Sequence, residues 1–90
     1  MAPLHAHSTC LNDPSPAQIA RTALLNLQQT RRWLVAERLR TEDTLRRARR
    51  EARFLGSRAA AVVCLATGRH LAELDAAIAD VNRQIEAVQR

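Results

Sequence analysis

Apolar residues in this chain recur at alternating intervals of three and four from residue 20 onward, the spacing of one buried helix stripe. A first series runs through Ala20, Leu24, Leu27, Leu34, Leu45, Ala48, Ala52, Leu55, Ala59, Val62 and Ala66. It also passes through Arg31, Arg38 and Thr41, so its register is unbroken while its middle is polar. Leu25, Val35 and Leu39 lie beside this seam and widen it. A second series, Leu71, Leu74, Ile78, Val81, Ile85 and Val88, repeats the spacing without a miss. The first series carried past Ala66 would instead meet Arg69 and Glu73, so the phase jumps near Thr67-Gly68-Arg69-His70. A glycine such as Gly68 suits the left-handed position after a helix C-terminus. The expectation is therefore a tight turn there and antiparallel neighbours; the alternative is one continuous helix with a stutter.

The start of the helical region has its own signature. Ser15 is a good N-cap, Pro16 fits the first helical position, and Gln18 completes a capping box. Residues 1–15 show no helical period and read as a flexible, disordered N-terminal tail. Residues 16–90 read as one helical domain, with helices over about 16–40, 42–66 and 70–89. Thr41 could cap a new helix, with Glu42 and Asp43 in its first turn. Without glycine or proline at that site, the first two helices read equally well as one. The predicted class is all-α: an antiparallel, coiled-coil-like helical hairpin or a three-helix bundle. Residues 59–66 are apolar all round, which predicts the centre of the core or of an oligomer interface. The flanks of the 71–88 seam do not suit charge-coded parallel pairing, whereas Ala76, Ala77 and Ala79 allow a close neighbour. This favours packing back on the seam of residues 45–66.

Composition narrows the picture. Only Trp33 and Phe54 are aromatic, and much of the 47% apolar content is alanine, as suits helix-on-helix packing. A 90-residue domain buries little of its surface, so self-association is expected, with a dimer favoured. Two cysteines make no disulfide framework, and Cys64 reads as a small buried hydrophobe. With no signal-peptide pattern and no apolar run near the roughly 20 residues of a membrane span, a cytoplasmic protein without membrane contact is expected.

All 14 basic residues are arginine, and the net charge of +5 is uneven. Residues 31–58 carry ten Arg against four acidic residues, while residues 59–90 sum to −1. The densest run holds Arg46, Arg47, Arg49, Arg50 and Arg53, on the flanks and outer face of the seam. Such a ridge can neutralise phosphates with release of counterions, or meet an acidic protein surface. The plainer reading is a solvated face with Glu42–Arg46 and Arg47–Glu51 pairs at i,i+4. No aromatic is interleaved with these arginines, which argues against base stacking. A basic leucine zipper does not fit: the seam changes phase and leucines do not recur at one heptad position.

Arg31 and Arg38 are expected to snorkel, their stems covering apolar surface. Trp33, with Leu25 and Val35, is the candidate surface for a partner helix, and an exposed Trp33 would point to a protein partner. His5, His7 and Cys10 match no closed zinc pattern, so neither a metal nor another cofactor is expected. No phosphate loop or nucleophile motif occurs, so no enzymatic activity is expected. The sequence thus predicts a small basic helical interaction module that binds nucleic acid through an arginine-rich face. The alternative is an adaptor, chaperone or inhibitor that docks a protein through helix contacts.

Overall fold

The computed structural model describes residues 13–90. The tail predicted over residues 1–15 lies mostly outside the described residues, as do His5, His7 and Cys10. Among the described residues there are two helices and no strand: α1, Pro16–Leu55, and α2, Arg58–Gln89.

Helix α1 begins as its sequence predicts. The Gln18 backbone N–H donates to Ser15 Oγ at 3.2 Å, and the Ser15 N–H donates to Gln18 Oε1 at 2.8 Å. From there α1 runs unbroken for 40 residues, through Thr41. Thr41 starts no new helix. Its hydroxyl donates back to the Glu37 carbonyl at 2.8 Å, and its side chain is buried in the seam. A Thr hydroxyl satisfied by the preceding turn competes with no backbone bond, so the helix continues. The three-helix division into 16–40, 42–66 and 70–89 is not what forms.

The chain reverses at Gly56 and Ser57. Gly56 takes the left-handed conformation, φ 62° and ψ 27°, which suits a residue without Cβ. Ser57 then caps α2, its Oγ accepting from the Ala60 N–H at 3.1 Å. The turn expected at Gly68 does not occur, and Gly68 lies within α2. The physical difference lies in the neighbour on the C-terminal side of each glycine. Gly56 precedes a serine able to take up an unpaired N–H of a new helix; Gly68 precedes Arg69 and His70, which offer no such acceptor. The phase jump is real but sits earlier. Carried backward, the 71–88 series meets Thr67, Cys64 and Ala60, whereas α1's own seam ends on Ala52. Because residues 59–66 are apolar on every side, both series can be drawn through them.

The product is a long antiparallel hairpin with Cα extents of 74 × 31 × 14 Å. Leu34, Thr41, Leu45 and Ala48 from α1 are buried with Ala60, Leu74, Val81 and Ile85 from α2. The main cluster joins Leu34, Leu74, Val81 and Ile85, with Leu24, Leu27, Ala77 and Ile78 packed against it. Nearer the turn the seam narrows to small residues, Ala48 and Ala60, which let the helices approach closely. Residues 59–66 are not a core: within this chain only Ala60 is buried and Cys64 half-buried, while Val62 and Leu65 are exposed. Two helices offer each other a single stripe, so a segment apolar all round keeps its outer side in solvent.

Two polar cross-links set the register. Arg31 Nη1 donates to Asn82 Oδ1 at 3.2 Å, and Arg38 Nε donates to Asp75 Oδ1. Each pair's residue numbers total 113, which sets Arg90 opposite Ala23. Residues 16–22 therefore overhang the end of α2.

Candidate nucleic-acid interface

Among the described residues, four of the arginines are held in ion pairs, and the rest are not. Arg38 is held by Asp75 and Glu42, Arg40 by Glu37 at 2.6 Å, Arg47 by Asp43 at 3.6 Å, and Arg83 by Asp80 at 3.2 Å. The Arg38 guanidinium is held above its ordinary range, chiefly by the hydrogen bond to Asp75; desolvation opposes this, and the charges of Asp75 and Glu42 add to it. Among the described residues, Arg46, Arg49, Arg50, Arg53 and Arg58 have no ion-pair partner. The pairs expected on the ridge, Glu42–Arg46 and Arg47–Glu51, do not form; Glu42 turns back to Arg38 and Arg47 back to Asp43. Arg38 meets Asp75 of the facing helix and Glu42 together, and Arg46 is left free.

Helix geometry then divides the five predicted ridge residues. At about 100° per residue, Arg46, Arg49, Arg50 and Arg53 fall on one flank of α1, while Arg47 lies off toward the other side. The surface hollows agree. Arg49, Arg50 and Arg53 line one hollow of about 530 Å³ with Ala52, Phe54 and Cys64. Arg46 and Arg49 line a second, of about 340 Å³, with Glu42, Leu45 and Leu71. The two share Arg49, so the four guanidiniums form a basic flank of α1 that runs from the hollows beside α2 at Arg49 round to the outward face at Arg50. Arg47 belongs to a different hollow, with Thr44, Ala48, Glu51, Ser57 and Val63 among its walls.

Folding also concentrates the charge. Residues 46–69 form the turn half of the hairpin and carry seven Arg against Glu51 alone. The remaining residues carry seven Arg against eight acidic groups, close to neutral. The rod is thus strongly positive at its turn end. The hairpin places Arg58, from the start of α2, at this end as well.

Phe54 and Cys64 were not among the sequence candidates, yet both line the basic hollow. The signal for Phe54 was local: it lies four residues after Arg50 and so shares its face. For Cys64 nothing local pointed to the site, because its position depends on where the chain turns. Its side chain is half-buried and its thiol is free.

The second candidate surface does not gather into one patch. Trp33 is 60% exposed, Leu25 64% and Val35 41%. Residues two apart do not share a helix face, so Trp33 and Val35 project to opposite flanks of α1, with Leu25 about 80° from each. Trp33 borders a shallow polar hollow with Asn26, Gln29 and Thr30.

His70 is not at a turn; it lies within α2 with Nδ1 3.8 Å from Glu73. Among the described residues no cluster of His, Cys, Asp and Glu could hold a metal ion, and no helix is long and apolar enough to cross a membrane. No family model, curated protein or solved structure matches this chain.

Proposed function

We propose that this protein is a helical hairpin that binds nucleic acid through the basic flank at its turn end. The observation that carries the reading is the set of four unpaired guanidiniums, Arg46, Arg49, Arg50 and Arg53, on one flank of α1. Among the described residues, Arg21, Arg32, Arg69 and Arg90 are unpaired as well; what sets these four apart is their density, with Glu51 the only acidic residue among residues 46–69. Clustered on one flank of α1, they keep their donors free for phosphate oxygens. The chemistry is charge neutralisation with counterion release, and a rigid hairpin carries no device for reading a particular duplex sequence. Retention on heparin or duplex DNA across a salt series tests it. The four-fold Gln variant should elute at much lower salt than the wild type, and equal elution of the two would end the reading.

A second reading rests on a different observation. Leu25, Trp33 and Leu39 stand exposed on the outer side of α1, in the half of the hairpin away from the turn. Large side chains in such positions suit a helix from another chain, and a second copy is the simplest source. In this reading the protein is a homodimer or an adaptor that docks a partner through helix–helix contacts. Light scattering on the isolated protein gives the mass that separates a monomer from a dimer.

A further inference from the structure

The basic flank has an aromatic end. Phe54 is 73% exposed, lies in the last turn of α1 beside Gly56, and lines the same hollow as Arg49, Arg50 and Arg53. A phenyl ring left in water at a chain reversal gains nothing for this fold, since the seam already ends on Ala52 and Ala60. Its position is informative: Arg50 lies one helical turn behind it, so a guanidinium and a ring face share one side of the helix. Ala52 and Cys64 add apolar surface to the lining of the hollow.

We infer that this hollow takes an unpaired base: Phe54 stacks on the base while Arg49, Arg50 and Arg53 hold the flanking phosphates, so the protein prefers single-stranded over duplex nucleic acid. The inference rests on the nucleic-acid reading above and names the strand form that this site selects. Single-strand sites join a positive groove that tracks the backbone to an aromatic face, and stacking tolerates any base. A duplex keeps its bases stacked inside and offers the ring only sugar and phosphate edges, so Phe54 contributes nothing to a duplex complex. The hollow of about 530 Å³ lies in the turn half of the rod, walled by α1 and by Cys64 of α2. Charge complementarity decides against an apolar partner, because three unpaired guanidiniums would be desolvated without an anion.

The test uses the full chain, an oligothymidylate of about 12 nucleotides, within the span of single-strand sites, and a duplex of the same length. Phe54→Ala, Phe54→Trp and the triple variant Arg49→Gln, Arg50→Gln, Arg53→Gln are compared, each checked for helicity. Phe54 is exposed, so its variants fold. The expected result is that Phe54→Ala weakens oligothymidylate binding about tenfold and leaves duplex binding unchanged. Phe54→Trp retains single-strand binding, and its indole fluorescence, read in a Trp33→Phe background, is quenched by the oligomer. The triple arginine variant weakens both ligands and flattens the salt dependence. If wild type binds both forms equally and Phe54→Ala changes neither, the base site is overturned while nucleic-acid binding stands. If neither nucleic acid binds, the nucleic-acid reading itself fails and the base site with it. Vesicles of phosphatidylserine and phosphatidylcholine form the control arm: capture that depends on Phe54, with no oligothymidylate binding, assigns the tip to a lipid surface and overturns the inference.

Discussion

Arg38 on α1 hydrogen-bonds through Nε to Asp75 on α2, seven residues along α1 and seven back along α2 from the Arg31–Asn82 bond. One heptad forward on one helix is one heptad back on the other, as an antiparallel coiled-coil seam requires. Both arginines occupy seam positions that look unsuited to burial. Their stems cover the seam and their guanidiniums leave it to meet partners on the flank of the facing helix.

Reversing the sign of this cross-link should therefore act on register as well as stability. Arg38→Asp and Asp75→Arg should each lower the thermal midpoint, and the double swap should recover part of the loss. The recovery should shrink at high salt, because the pair is partly exposed. The guanidinium pKa is raised, so its contribution is present at every pH below the unfolded value and lost only as pH rises through the folded one. The midpoint difference between wild type and Arg38→Leu should hence stay flat from neutral pH to about pH 10. A difference that disappears over that window would show that Arg38 is not the group responsible.

The two glycines predict effects of opposite sign. Gly56 has a positive φ, so Gly56→Ala should destabilise by about 1 kcal/mol. Gly68 is helical and an added Cβ meets nothing within 4 Å, so Gly68→Ala should stabilise by about 0.5–1 kcal/mol. Urea unfolding of both variants checks this. A turn at Gly68 would give the reverse order.

Core truncation should cost less here than in a closed bundle. Leu74→Ala should destabilise by about 2 kcal/mol, the low end of large-to-small core changes, because no side chain of this two-helix seam is wholly excluded from solvent. Trp33→Ala should change monomer stability by no more than about 0.5 kcal/mol. A loss from Trp33→Ala that depends on protein concentration would place Trp33 in an interface between copies.

Among the arginines, partner and flank should decide the effect. Each of Arg46→Gln, Arg49→Gln, Arg50→Gln and Arg53→Gln should reduce the slope of log affinity for duplex DNA against log salt by about 0.9. Arg47→Gln should leave the slope nearly unchanged, since Arg47 is committed to Asp43 and faces away from that flank. Uniform effects across all five would mean a diffuse positive field rather than one basic flank.

Much of this fold is legible in local pattern. The three-four apolar spacing from Leu24 to Ala52, the Ser15-Pro16-Gln18 start and the buried stripe of residues 71–88 each depend on a few neighbouring residues and form as the pattern predicts; the stripe's partner is the Leu24–Leu34 stretch of α1 and not the expected seam of residues 45–66, half of which lies on α2 itself. The arginine-rich stretch is equally plain in the chain. The place of reversal is not, because residues 59–66 are apolar on every side and accept either phase. Of the two glycines, Gly56 becomes the turn because Ser57 beside it can cap the next helix. Which arginines stay free could not be read from spacing: Glu42 has equally placed partners at Arg38 and Arg46, and it pairs with Arg38, which Asp75, 37 residues away, meets as well. In the same way Cys64 meets the arginines only because α2 folds back from Gly56. Local periodicity settles what is helix and which stripe is buried; the long-range pairing of α1 with α2 settles which side chains are left over to bind something else.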